Sequence, residues 1–208
     1  ININGDLTGG IVNNATGIIG GEYAALGAEG LNSSITNRGL IEAGYTAIGV
    51  NGIWNGSLDN SGTIEASGRG SYATAVSANT WNGNLANSGT LSGYGAGWSA
   101  DGFGVDAGEM TGNLTNSGAI SGYALGSSAY AAGARINNLT GSLGAVQAGA
   151  AGTPAAAGAA AIHAVQPMAV AAGAAATAAV AGATAGVSGH AVPAVDAAGP
   201  RVSSASSP

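Results

Sequence analysis

The sequence contains no cysteine and no lysine, and only 7% of its 208 residues are charged. Without cysteine there is no disulfide framework, no thiolate zinc site and no cysteine nucleophile. Without lysine, and with only Arg38, Arg69 and Arg135 in residues 1–144, the chain lacks the clustered cations that a phosphate backbone requires, so nucleic acid is excluded as a partner. Histidine is confined to His163 and His190, in a stretch expected to lie far from any ordered scaffold, which leaves a Ser-His-Asp triad without its base. No basic segment followed by an apolar run opens the chain, Ile1 is not an initiator methionine, and no series of alternating segments of about ten residues announces a membrane barrel. The sequence therefore reads as a segment of a longer protein.

Against these absences stands a phrase written four times with little change: Ile35-Thr-Asn37-Arg-Gly39-Leu-Ile41, Leu58-Asp-Asn60-Ser-Gly62-Thr-Ile64, Leu85-Ala-Asn87-Ser-Gly89-Thr-Leu91 and Leu114-Thr-Asn116-Ser-Gly118-Ala-Ile120. A looser copy, Ile11-Val-Asn13-Asn14-Ala-Thr-Gly17-Ile-Ile19, precedes them, and Ile136-Asn137-Asn138-Leu-Thr-Gly141-Ser-Leu143 reads as a sixth. Their glycines fall 22, 23, 27, 29 and 23 residues apart, the period of a solenoid in which one repeat makes one coil. Alternating apolar and small residues on either side of Asn-Ser-Gly predict two short strands around a corner, with the glycine at positive φ. A bulky residue upstream (Leu31, Trp54, Trp81, Met110), followed by Asn-Ser, Asn-Gly or Thr-Gly, predicts a second corner, and a stretch further upstream that begins at Tyr23, Tyr45, Tyr72 or Phe103 predicts a third strand. The fold class is all-β: a parallel β-helix of five to six coils.

Stacking at about 4.8 Å turns equivalent positions into columns. Ile35/Leu58/Leu85/Leu114, Ile41/Ile64/Leu91/Ile120 and Leu31/Trp54/Trp81/Met110 are expected inside, Glu42/Glu65/Ser92/Ser121 outside, and Asn37/Asn60/Asn87/Asn116 as an amide ladder. Because the coil length varies, loops of different length are expected to project between copies.

The vocabulary changes near Gly144. All five prolines lie beyond it and every Trp, Tyr, Phe and Asn before it; Ala150 to Pro208 holds 25 alanines. Residues 1–144 are assigned to the repeats and 145–208 to an Ala-rich low-complexity tail, disordered or weakly helical. Met168 to Val187 is uncharged and long enough to span a bilayer, but Ala and Gly give it little insertion energy, so no membrane insertion is expected.

Asp101, Asp106 and Glu109 gather in the longest segment between copies, where paired carboxylates for polysaccharide cleavage or a loose calcium site compete with a solvated Gly-rich loop. The solvated loop is the reading adopted, with no catalytic residue, cofactor or metal assigned. Gly93-Tyr-Gly95-Ala-Gly97 lacks a P-loop lysine and is read as loop glycine. Asn14, Asn32, Asn55, Asn113 and Asn138 head glycosylation sequons that follow from an Asn/Ser/Thr-rich repeat. Tyr45, Tyr72, Tyr94 and Tyr123 are candidate contacts for carbohydrate or protein.

The L-x-N-S-G-x-I phrase, with Trp-Asn-Gly or Thr-Gly-Asn ahead of it and Ser92-Gly93 or Ser121-Gly122 behind, resembles the repeats of bacterial autotransporter passenger domains and related surface adhesins over residues 1–144. The resemblance implies a right-handed parallel β-helix on, or released from, a Gram-negative surface, anchored through an outer-membrane barrel encoded elsewhere. It implies adhesive or structural work on host, matrix or neighbouring-cell ligands; the alternatives are self-association into biofilm fibres and a polysaccharide-active enzyme.

Overall fold

The computed structural model describes residues 1–68, 72–126, 128–142, 148–152 and 162–164. Within them the chain is a parallel β-solenoid of three sheets; five coils contribute one strand to each, and beyond those five the described residues continue only two of the sheets. The short sheet stacks β2 (Ile11–Asn13), β5 (Ile35–Asn37), β8 (Leu58–Asn60), β11 (Leu85–Asn87) and β14 (Leu114–Asn116). A second sheet stacks β3 (Ile18–Gly21), β6 (Leu40–Ala43), β9 (Thr63–Gly68), β12 (Thr90–Ala96), β15 (Ala119–Leu125) and β17 (Ala148–Gly152). The long sheet stacks β1 (Asn2–Thr8), β4 (Ala24–Asn32), β7 (Thr46–Asn55), β10 (Tyr72–Asn82), β13 (Ser99–Thr111), β16 (Ser128–Thr140) and β18 (Ile162–Ala164).

The three apolar columns are in the expected register and buried. Leu31, Trp54, Trp81 and Met110 pair in sequence, and Leu139 continues the column. Each buried Ile or Leu contributes about 1.5–3 kcal/mol. The Trp54 and Trp81 rings stack at 4.3 Å with planes 4° apart, and each indole N–H donates to a second-corner carbonyl, Ser33 or Gly56, at 2.8 Å. Burial thus leaves neither indole nitrogen unpaired.

The asparagine column does form a ladder, and it lies in the interior rather than on a rim. Asn13, Asn37, Asn60 and Asn87 each donate from Nδ2 to the Oδ1 of the asparagine one coil on, at 2.8, 2.8, 2.7 and 2.6 Å. Asn37, Asn60 and Asn87 also reach the carbonyl of their own corner glycine at 3.1–3.2 Å. A side chain that both donates and accepts is what a buried stack of identical positions needs.

Three expectations require correction. The corner glycines Gly39, Gly62, Gly89 and Gly118 are not at positive φ. They are needed because successive corners approach so closely that a Cβ on Gly62 would overlap the carbonyl oxygen of Gly39, and one on Gly89 that of Gly62. Ile136–Gly141 is not a sixth copy of the phrase: Ile136 pairs with Ala107, Leu139 with Met110 and Thr140 with Thr111, which puts Gly141 in the second-corner column above Gly112.

The third correction concerns coil length. The extra residues lengthen strands instead of forming projecting loops. Ala43 ends β6, whereas in register with it β9 runs on to Gly68, β12 to Ala96 and β15 to Leu125; the long strands start correspondingly earlier. The second and long sheets thereby extend into a thin two-layer lip at the third corner. Ala100, Ala124, Ala129 and Ala131 form its small core. Glycines 93, 95, 102 and 122 face backbone across it so closely that no Cβ fits, so Gly93 and Gly95 are strand residues, not loop.

Beyond Gly144, β17 pairs with β15 and β18 with β16, in continued parallel register. The rest of the segment assigned to the tail, including Met168 to Val187 and His190, lies outside the described residues. Among the described residues no helix is long and apolar enough to cross a membrane.

Candidate functional site

One continuous apolar core fills the coils, so functional chemistry is confined to the outer faces. The richest of these is the outer face of the long sheet. Asp101, Asp106 and Glu109, placed by sequence in a loop, lie on β13, and their strand neighbours decide their chemistry. Asp106 pairs in register with Ser77 below and Arg135 above, and Asp101 with Tyr72 and Tyr130. The Arg135 guanidinium forms a two-pronged ion pair with Asp106, its Nε donating at 2.7 Å and its Nη2 to the other carboxylate oxygen. Tyr72 donates its hydroxyl to Asp106 Oδ2 at 2.9 Å. Arg135 Cζ also sits 4.1 Å from the centroid of the Phe103 ring, which Tyr72 and Tyr130 flank at 5.9 and 5.5 Å. A cation held by both a ring face and a carboxylate is fixed on a partly buried surface.

The titrations follow from this packing. Burial, with a further contribution from the Asp106 carboxylate, raises the Tyr72 phenol above its usual value; burial also raises Asp101, against the attraction of Arg135. The hydrogen bond that Arg135 donates to Asp106 raises its guanidinium above the usual value. Glu109 is exposed and pairs in register with Thr80 and Asn138, apart from the other two acids. Among the described residues no three acidic, histidine or cysteine side chains come together. His163 was expected far from the scaffold, yet its backbone lies on β18 in register with Arg135.

A groove of about 540 Å³ lies on the same outer face in the earlier coils, over Gly27 and Gly49, with Tyr23, Glu29, Thr46, Asn51 and Ser77 among its lining. Gly27, Gly49, Ser77, Asp106 and Arg135 occupy one outward column, so the groove and the ion pair follow each other along the solenoid.

Of the candidate tyrosines, Tyr45 stacks on Tyr23 at 5.3 Å and Tyr94 on Tyr123 at 4.9 Å, while Tyr72 is partly covered by the cluster on β13. Tyr23, 67% exposed, Trp98, 81% exposed, and Tyr130 are further surface aromatics that were not among the contacts expected from the sequence. All three sit at the third corner or the lip, and the available signal was that they stand outside the repeated phrase. The sequon asparagines 14, 32, 55, 113 and 138 are all exposed; Asn32 and Asn55 belong to a second, surface amide ladder continued by Asn82. No family model, curated protein or solved structure matches the chain.

Proposed function

We propose that this chain is a surface-displayed or secreted recognition solenoid, a segment of an autotransporter-like passenger that binds carbohydrate or protein outside the cell and performs no catalysis itself. The observation that carries the reading is the placement of exposed aromatic side chains, Tyr23 and Trp98 above all, on a scaffold whose interior is completely occupied by structural columns. Aromatic rings give large contact area with little rotamer entropy to lose, which suits them to recognition. The resemblance of the Asn-Ser-Gly phrase to passenger repeats supports the location. Against a hydrolase, the best placed acid, Asp106, is committed to Arg135 and Tyr72, and a committed carboxylate is a poor general base.

The test is binding of the full chain to cultured cells and to extracellular-matrix preparations, compared with a Trp98→Ser, Tyr23→Ser double variant. The expected result is saturable binding that the double variant weakens at least tenfold, with the melting temperature unchanged. Polysaccharide hydrolysis would replace this reading with the enzymatic one, and concentration-dependent fibres without surface binding would replace it with self-association.

A further inference from the structure

We propose that the groove over Gly27 and Gly49 is a binding site for a neutral oligosaccharide. The proposal deepens the recognition reading above and rests on it. Its starting point is two glycines that the fold does not require. A Cβ on Gly27 would meet only Asn2 Oδ1 at 3.7 Å and the Ala24 Cβ at 3.8 Å, which is ordinary contact. On Gly49 the nearest atom is the movable Thr46 Cγ2 at 3.2 Å. Neither glycine has positive φ. Both lie inside strands, where a side-chain-bearing residue is the better strand former and glycine marks a close approach of something else to the backbone. The corner glycines are the contrast, since there a Cβ collides with the coil below. At 27 and 49 a side chain fits, and what it would fill is the groove.

The groove's dimensions and chemistry select the ligand. Its volume of about 540 Å³ falls in the range of small-ligand sites. Tyr23 presents an exposed ring at the border, held by its stack on Tyr45 with planes 11° apart, a pre-set apolar face for the C–H side of a sugar. Thr46, Asn51, Ser77 and Glu29 supply hydroxyl, amide and carboxylate partners for sugar hydroxyls. Among the described residues Glu29 is the only charged side chain in the lining, and the ammonium of Ile1, also at the groove, is bonded to the Ala25 carbonyl, so no cationic side chain is offered to uronic, sialic or phosphorylated sugars. A peptide adding as an extra strand is not accommodated, because β4 and β7 are interior strands whose edges are already paired with β1 and β10.

The experiment is calorimetric titration of the full chain with cellohexaose and chitohexaose, and with an oligogalacturonate of equal length. At least one neutral hexamer is expected to bind saturably and the acidic one not. Gly27→Val should weaken binding at least tenfold without lowering the melting temperature, Tyr23→Ser should weaken it comparably, and Trp98→Ser should leave it unchanged. Absence of binding by both neutral hexamers, or affinity unaltered in both Gly27→Val and Tyr23→Ser, overturns the proposal. Should cell or matrix binding persist in that event, the recognition reading stands without the groove; should it be absent too, both readings fall.

Discussion

The first corner of the coil, between the short and second sheets, repeats almost letter for letter, whereas the third, between the second and long sheets, changes in length and composition from coil to coil. The difference follows from how many demands meet on one residue. At the first corner an asparagine must be buried, accept from the coil below, and donate both to the coil above and to its own turn. The glycine two positions on must leave room for the neighbouring coil's carbonyl. Few other residue pairs meet those conditions. At the third corner the chain must turn back and, where the lip forms, keep its inner face to glycine and alanine, so strands of different lengths serve and the outer surface is free to carry rings and charges. Repetition within this chain therefore marks scaffold, and departure from repetition marks the places where binding can be built.

The comparison is most easily broken from inside. Ile64 has Ile41 and Leu91 as vertical neighbours and is fully buried, so Ile64→Asp places an unpaired carboxylate in the core. A loss of about 4 kcal/mol or more is expected, read as a collapse of the urea midpoint. Gly62→Val should follow at about 3 kcal/mol, because the added Cβ overlaps the Gly39 carbonyl and backbone must move. The informative partner is Gly27→Val, expected to be neutral or stabilising. If the two valine variants melt alike, close approach is not what distinguishes the two classes of glycine.

How much of this was legible in the sequence depends on which signal a residue carried. The columns were readable because Leu, Ile and Trp return at matched distances from Asn-x-Gly. The ladder was readable because the same amide recurs at the same place. Thr140-Gly141 was misplaced because Ile136-Asn137-Asn138 imitates the first-corner phrase, although its apolar spacing matches the end of a long strand. The lip was read as loop because Gly and Ala strands carry no apolar alternation; their smallness reflects two sheets in near contact. The Asp106–Arg135 pair spans 29 residues and joins unlike letters, so no repeat signals it. Its register becomes visible only when Leu139 is matched to Met110, which places Arg135 above Asp106.

Asn60→Ala tests the ladder at moderate cost. Asn37 loses its acceptor on the next coil, Asn87 loses its donor, and the carbonyls of Gly62 and Thr90 each lose the bond from the Asn60 amide, although Gly62 keeps the Thr90 backbone N–H. A buried polar group left unpaired costs about 1–3 kcal/mol, and about 2 kcal/mol is expected here since Asn37 Nδ2 keeps the carbonyls of Gly39 and Thr63. Asn55→Ala, in the exposed ladder with Asn32 and Asn82, should lose well under half as much, because water replaces the missing amide. Equal losses at the two sites would mean that burial is not what holds the first corner to its letter.

The smallest effect is expected one residue beyond Ile64. Glu65 stands in register with Glu42 below and Ser92 above, on the outer face, with Glu42 exposed and Glu65 half-buried. Like charges directly opposite on neighbouring strands repel by a few tenths to about one kcal/mol, and solvent screens the repulsion. Glu65→Ser writes into this coil the residue that the next two already carry, and removes the repulsion without touching the core. It should therefore leave the urea midpoint unchanged or raise it slightly, with the difference shrinking as salt is added, since screening relieves the same repulsion in the parent. A loss of more than about 1 kcal/mol would place Glu65 in a role the outer face does not require. Adjacent positions of one strand would then no longer divide into an indispensable inside and a permissive outside, which is the alternation on which every column of this solenoid depends.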